Sequence, residues 1–155
     1  MSLLNVVCLC AAFFSALTTG ALVVNWLGLA RAMLLLTDAG AYTAFHQATN
    51  RTFDPYMPLI VMGAIIGNAA SFGVATGEDP RQSFLAVVAS VAYLLVLLLS
   101  LATNVRLNKQ IAKWSVHAPP ETWAATRRKW VQFHIIRTLV SVPALVSCLL
   151  AVIVE

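Results

Sequence analysis

Long runs without charge constrain the fold of this chain more than any other feature of its sequence. No charged residue precedes Arg31, and further uncharged runs cover residues 56–76 and 83–105. A last run covers residues 131–154 and contains a single charged residue, Arg137. About 20 helical residues cross the hydrocarbon core of a bilayer. Each run is therefore long enough to form a helix that spans a membrane.

The composition of the chain argues against a soluble fold. Hydrophobic residues make up 60% of the 155 residues and charged residues only 10%, whereas a soluble domain has about 25% charged residues. A soluble chain of this length could not bury so much apolar surface. We therefore predict an all-α, four-helix transmembrane bundle that forms a single domain over residues 1–155. The four spans are expected at about residues 3–27, 56–76, 83–105 and 131–154.

A cleaved secretory signal is the competing interpretation of the first run. Such a signal begins with positive charge and has a shorter apolar core. Residues 1–5 contain no Lys or Arg. We therefore expect the first helix to be retained, and it could continue past Arg31 because residues 30–36 stay apolar.

The first connection contains residues that begin and end a short helix. Residues 37–40 predict a break, and residues 41–53 then predict an interfacial helix. This helix should end at Asp54 and Pro55, because the residue before a proline avoids the helical region.

The other two connections are marked by proline and glycine. Residues 77–80, Gly-Glu-Asp-Pro, have the composition of a turn. In the third connection, residues 118–120 end a basic extension of the third helix. Residues 121–129 restart a helix ahead of the fourth span.

Basic residues are distributed unequally between the two ends of the predicted bundle. Loops one and three lie at the same end and, with their flanks, hold nine of the ten, whereas only Arg81 lies at the other end. The nine are Arg31, Arg51, Arg106, Lys109, Lys113, Arg127, Arg128, Lys129 and Arg137. Because cytosolic loops are enriched in Lys and Arg, we expect loops one and three in the cytosol and both termini on the opposite side. The glycosylation sequon that begins at Asn50 would then be unused.

Polar side chains are concentrated at the same end of the bundle. Asn104 and Asn108 are four residues apart at the end of the third helix, and hence on one face. Trp130, His134 and Arg137 follow one another at i, i+4 and i+7 and form one stripe on the fourth helix. An ionisable residue inside a span is a functional candidate. The structural alternatives are that the Asn pair bonds between helices and that Arg137 extends to the headgroups.

The interfacial helix adds a third candidate group. His46 and Asn50 are four residues apart, beside Gln47. His46, His117 and His134 all lie at this end of the bundle, but no HxxxH, HxH or ExxH spacing is present. We therefore expect no metal site.

Two glycine pairs have the spacing of close helix contacts. Gly63 and Gly67 lie on the second helix, and Gly73 and Gly77 follow at the same spacing. The Gly63/Gly67 contact could lie within the chain or between copies in a homo-oligomer, and the sequence supports both equally.

Three segments at the polar end carry distinctive patterns. Residues 103–114 read TNVRLNKQIAKW, residues 127–141 read RRKWVQFHIIRTLVS and residues 45–60 read FHQATNRTFDPYMPLI. These resemble, respectively, the NVPLN, RW…H..RT and Q..N…P elements of the anthrone oxygenase-like membrane proteins, which act in polyketide tailoring. The resemblance covers nearly the whole chain and includes the number and spacing of the spans.

The resemblance assigns individual residues to the family's elements. The matching residues are Gln47, Asn50, Pro55, Asn104, Leu107, Asn108, Trp130, His134, Arg137 and Thr138. One departure is Arg106, where the family commonly has proline. We therefore expect a straighter third helix and an added charge near the pocket.

The resemblance implies a membrane-bound monooxygenase that converts an anthrone to a quinone with O2 and without an organic cofactor. We predict His134 or His46 as the base, with Arg137 as the third catalytic residue that stabilises the oxyanion. The expected substrate-binding residues are Asn104, Asn108, Trp130, Asn50, Gln47 and Phe133. The expected partners are an apolar aromatic small molecule and the lipid bilayer, without nucleic acid.

Two other functions stay open at this point. One is a metal- or haem-dependent oxidase that binds copper or haem iron through its histidines, which metal analysis would reveal. The other is a non-enzymatic binding or scaffolding subunit in which the polar stripe holds helices together. Such a subunit would keep its function after replacement of both His134 and Arg137.

Overall fold

Four helical segments are long and apolar enough to cross a membrane in the computed structural model, which describes residues 3–76 and 79–153. They are Leu3–Leu35, Met57–Ala75, Pro80–Ile111 and Trp123–Ile153. The described residues contain no strand, so the predicted all-α membrane fold is confirmed. Gly77 and Glu78 of the predicted turn, and residue 154 of the predicted fourth span, lie outside the described residues.

The described chain forms seven α-helices and one short π-helix, which is called the π-turn below. They are α1 (Leu3–Val24), the π-turn (Asn25–Ala30), α2 (Arg31–Leu35), α3 (Ala39–Phe53), α4 (Met57–Ala75), α5 (Pro80–Ala102), α6 (Asn104–Ile111) and α7 (Trp123–Ile153). The first span comprises α1, the π-turn and α2, and therefore continues past Arg31. The helical segment predicted at residues 121–129 is continuous with the fourth span, because α7 begins at Trp123.

Local chemistry explains where the helices begin. The Asp38 carboxylate accepts a hydrogen bond from the Ala41 amide and caps α3. Asp79 caps α5 in the same way, and Pro80 occupies the first turn, where its missing N–H costs nothing. Pro58 occupies the corresponding position in α4.

A break interrupts the third span. Thr103 separates α5 from α6, with φ of −124° and ψ of −82°. Its hydroxyl donates to the carbonyl of Leu99, and such back-bonding bends helices. The next side chain, Asn104, donates to the Trp130 carbonyl of α7 across 3.0 Å. These two polar side chains interrupt the helix, although position 106 is Arg and not the proline that is common in the family.

The four spans pack as a closed ring in which α1 contacts α4 and α7, and α5 contacts the same two helices. α1 and α4 approach each other closely at two glycines. A Cβ added at Gly67 would lie 2.8 Å from the Cα of Ala11, and one at Gly63 would meet the ring of Phe14. The Gly63/Gly67 pair therefore forms a contact within the chain.

Loops one and three pack against each other at the polar end. The Gln47 amide of α3 donates to the carbonyls of Ile111 and Trp114, at 2.9 and 3.0 Å. Arg127 of α7 donates to the carbonyls of Met33 and Leu36 at the end of the first span. These bonds hold α3 across the end of the bundle, where it covers a cavity.

Candidate functional site

A partly open cavity lies beneath α3, between the ends of the four spans. Its volume is about 150 Å³. Most of the wall is apolar. The polar residues in the wall are Asn25, His46, Thr49, Asn50, Asp54, Ser100, Asn108, Trp130 and Arg137.

Arg137 places a guanidinium in this cavity without a counter-anion. Its Nε and one terminal nitrogen donate to Nδ1 of His134, at 3.2 and 2.7 Å, and its other terminal nitrogen donates to the Ser100 hydroxyl at 3.1 Å. In the described parts of the chain no carboxylate pairs with it. A buried charge normally has a partner of opposite sign. The cavity therefore suits a ligand that brings negative charge.

The hydrogen bonds of His134 fix its protonation. Its Nε2 lies 3.1 Å from the Leu22 carbonyl, which only accepts, so Nε2 carries the proton. Its Nδ1 accepts from Arg137, which only donates. His134 is therefore a neutral imidazole whose lone pair is already used. It is fully buried and orients the guanidinium.

His46 is the second imidazole in contact with the Trp130 indole. The indole N–H donates to Oδ1 of Asn108 at 2.7 Å, which fixes the orientation of that amide. Nε2 of His46 lies 3.2 Å from the same oxygen and therefore carries its proton. Nδ1 then keeps its lone pair, and its one contact is the Tyr42 hydroxyl at 3.4 Å.

Burial determines the charge of the groups in α3. Burial lowers the pKa of His46 to about 4, and the hydrogen bond to Asn108 opposes this effect only partly. Burial also raises the pKa of the Tyr42 hydroxyl, so both side chains are neutral at neutral pH. The His46 imidazole can therefore accept a proton under these conditions.

A carboxylate lies in the cavity wall at the end of α3. Asp54 is exposed and accepts a hydrogen bond from the Asn50 amide at 2.8 Å. Partial burial raises its pKa, against the opposing effect of that hydrogen bond. Asp54 is thus a second group that can accept a proton.

The structure brings five of the nine predicted site residues into the cavity wall, namely His46, Asn50, Asn108, Trp130 and Arg137. The other four do not line it. His134 lies behind Arg137, Asn104 bonds to the backbone of α7, and Gln47 bonds to loop three. Phe133 lies on α7 and does not line the cavity.

Four polar residues of the wall are not among the predicted ones, namely Asn25, Thr49, Asp54 and Ser100. Ser100 and Asp54 were not predicted as site residues, although Ser100 lies four residues before Asn104 and Asp54 lies four residues after Asn50. Asn25 did give one, since it is a carboxamide in a long uncharged run that was predicted to span the membrane. A carboxamide at that depth is costly without a partner.

The histidines do not converge on a common point. The Trp130 ring stacks on His134 at 5.2 Å and 3°, and meets the edge of His46 at 5.2 Å and 82°. The indole therefore contacts both imidazoles, and His117 lies exposed in loop three. No group of three or more His, Cys, Asp or Glu residues within 3–76 and 79–153 is arranged to hold a metal ion.

Comparison with known proteins agrees with this arrangement of polar segments. The profile of the family described as anthrone oxygenase matches residues 45–147, about two thirds of the chain, which include α3 from residue 45 onward and the polar part of α7. A search of curated proteins and a search of solved structures gave no match. The matched region contains eight of the nine polar residues in the cavity wall, and the chain belongs to the anthrone oxygenase family.

Proposed function

We propose that this protein is a membrane-bound oxygenase that converts an anthrone to the corresponding quinone with O2. The observation that carries the proposal is an unpaired guanidinium in a largely apolar cavity. An anthrone has the matching chemistry, because its flat apolar rings become an oxyanion when the central methylene loses a proton.

The reaction consumes one O2 and releases one water. Deprotonation of the methylene gives an anion whose charge rests on the carbonyl oxygen. This anion passes one electron to O2, and the carbon radical combines with superoxide and a proton to give a hydroperoxide. The carbon then loses its second hydrogen as the O–O bond breaks, which leaves a carbonyl and water. One oxygen atom of O2 enters the quinone and the other enters the water.

Arg137 stabilises the oxyanion in this scheme. A guanidinium stays charged in a protein and has several donors. Preorganised donors in a dry site act strongly on charge that develops during the reaction. The amide N–H groups of Asn108 make no hydrogen bond among the described residues and can add a second donor.

His46 accepts the proton. Its Nδ1 lone pair is free of strong donors, whereas that of His134 accepts from Arg137. The lowered pKa of His46 keeps it unprotonated but makes it a weak base, so proton transfer depends on the stabilisation of the anion by Arg137. Asp54 is the alternative acceptor.

Oxygen uptake by the purified protein in detergent tests the proposal, with dihydroxyanthrone as substrate. We expect uptake above the spontaneous rate and one quinone formed per O2. Arg137→Gln should lower kcat/KM by about 100-fold or more, the usual loss for an oxyanion donor. Folded protein without uptake would contradict the proposal and favour the binding or scaffolding alternative.

A pair of substitutions separates the roles of the histidines. His134→Gln keeps a donor and an acceptor but cannot serve as a base, so activity should stay within about threefold of the parent protein. His46→Gln should lose about 100-fold, as expected for removal of a general base. The reverse result would make His134 the base, and the same loss in Asp54→Asn alone would make it Asp54.

Metal analysis of the same preparation tests the alternative of a metal- or haem-dependent oxidase. Activity that rises with bound copper or iron and disappears after chelation would contradict the proposal of a cofactor-independent reaction. Full activity in metal-free protein would support it.

A further inference from the structure

The mouth of the cavity lies on one side of the bundle. Among the described residues, three both line the cavity and are exposed, namely Asp54, Pro58 and Leu101. Pro58 lies in the first turn of α4 and Leu101 in the last turn of α5, and these two helices pack against each other. Asp54 lies in the turn between α3 and α4. The cavity therefore opens between the start of α4 and the end of α5.

The rest of the wall is closed by other helices. The described residues of α1 and α7 contribute none of the exposed lining, and Leu22 and Trp130 are only 2% and 5% exposed. Helix α3 covers the end that faces the loops, where the Gln47 amide bonds it to loop three. A ligand that entered from the loops would have to break these bonds, whereas the mouth between α4 and α5 is already open.

Apolar side chains flank this mouth. Leu59 follows Pro58 on α4, and Leu98 lies one helical turn before Leu101 on the same face of α5. Leu59, Leu98 and Leu101 are 70%, 54% and 51% exposed. Large exposed apolar patches mark surfaces that meet a membrane or another protein, and both helices belong to membrane-spanning segments. The mouth therefore faces the bilayer.

The mouth leads directly to the guanidinium of the cavity. Ser100 precedes Leu101 in α5, lines the cavity and accepts a hydrogen bond from Arg137 at 3.1 Å. A ligand that passes Leu101 thus reaches the partners of Arg137 within one residue of the mouth.

We propose that this mouth is a lateral entrance through which an apolar aromatic ligand reaches Arg137 from the bilayer. An apolar compound concentrates in lipid, because removal of its surface from water is favourable. The bilayer therefore supplies the ligand at a higher concentration than the water beside the loops. The inference rests on the proposed function for the identity of the ligand, but the route follows from the position of the mouth.

A nitroxide at position 101 tests which phase the mouth faces. Leu101→Cys, in a variant without native cysteines, is spin-labelled and reconstituted into phosphatidylcholine nanodiscs. Molecular oxygen concentrates in lipid whereas a charged nickel chelate stays in water, so oxygen should relax this label more strongly than the chelate does. Lys113→Cys in loop three is the control, since Lys113 is exposed there, and its label should respond more to the chelate. A label at position 101 that responds like this control would overturn the proposal.

The rates of ligand binding test whether the mouth is the route. Leu101→Trp places a larger ring in the mouth. Leu98→Trp is the matched control, because Leu98 is exposed on the same helix but does not line the cavity. Binding of dihydroxyanthrone to protein in nanodiscs is followed under argon by stopped-flow absorbance.

A narrowed route slows entry and exit alike and leaves the affinity unchanged. In Leu101→Trp both rate constants should therefore fall by about tenfold or more, while Kd stays within about twofold of the parent value. Leu98→Trp should keep both rate constants of the parent protein. Equal rate constants in the two variants would overturn the proposal. So would slower association with unchanged dissociation in Leu101→Trp, because position 101 would then contribute to affinity and not to the route.

The outcomes for the entrance and for the oxygenase reaction are distinguishable. Slowed binding and release in Leu101→Trp, without oxygen uptake by the parent protein in air, would support the entrance and contradict the oxygenase. Oxygen uptake by the parent, with unchanged binding rates in Leu101→Trp, would support the oxygenase and overturn the entrance. No binding of dihydroxyanthrone by the folded parent protein would overturn both.

Discussion

At the scale of single residues, the two imidazoles beside Trp130 have different hydrogen-bonding environments. His134 is held between a carbonyl and a guanidinium, so both nitrogens are engaged. His46 shares the Asn108 oxygen with the indole and keeps a weakly bound lone pair. Two histidines that look alike in the sequence therefore have different chemical capacities.

The lowered pKa of His46 predicts a dependence of stability on pH. The unfolded chain takes up a proton near pH 6.5, whereas the folded protein takes it up only near pH 4. The free energy of unfolding should therefore fall as the pH drops from about 6.5 to 4, by up to about 3 kcal/mol from this group. Above pH 6.5 the contribution should be constant.

Denaturant unfolding in detergent at a series of pH values measures this effect. His46→Gln should show a shallower fall over the same pH range, whatever its stability at neutral pH. An unchanged slope in this variant would show that His46 titrates normally in the folded protein.

Sequence spacing predicted part of the site. Trp130, His134 and Arg137 lie on one face as their spacing required, and Asn108 joins them. The spacing could not show that Gln47 bonds to loop three, because that contact depends on how two loops pack. It also could not show which nitrogen of each histidine is free, since this depends on partners distant in sequence.

At the scale of helices, the contact between α1 and α4 depends on Gly67, because a glycine has no side chain. A Cβ at Gly67 would come within 2.8 Å of the Ala11 backbone, which cannot move without separating the helices. Sequence spacing marked this glycine, but only the packed structure identified its partner.

Gly67→Ala should therefore destabilise the protein by about 1–3 kcal/mol, the usual cost of overpacking. Gly73→Ala on the same helix is the matched control, because no atom lies within 4 Å of its added Cβ. It should leave stability unchanged or raise it by up to about 1 kcal/mol. Unfolding in detergent compares the two, and equal effects would contradict the tight contact.

The break at Thr103 shows why helix ends were harder to predict than helix cores. Hydropathy identified the third span, and the structure continues it to Ile111. The interruption within it arises from hydrogen bonds of Thr103 and Asn104, one of them to α7. No property of residues 103–106 alone required that bond.

At the scale of the whole molecule, the unequal charge of the two ends predicts the orientation in the membrane. Loops one and three should face the cytosol because they contain most of the Lys and Arg residues. In a variant without native cysteines, Arg81→Cys should react with an impermeant maleimide in intact cells. Lys113→Cys should react only after permeabilisation, and the opposite pattern would reverse the orientation.

The unpaired guanidinium of Arg137 also has a consequence for turnover. In the proposed reaction, the anion that forms in the site would neutralise this charge, and its oxidation would leave a carbonyl group where the charge was stabilised. The attraction that retains the substrate is therefore weakened by the reaction itself, and the empty site again contains an uncompensated positive charge. In that reaction the same side chain would favour both the release of the product and the formation of the next anion in the site.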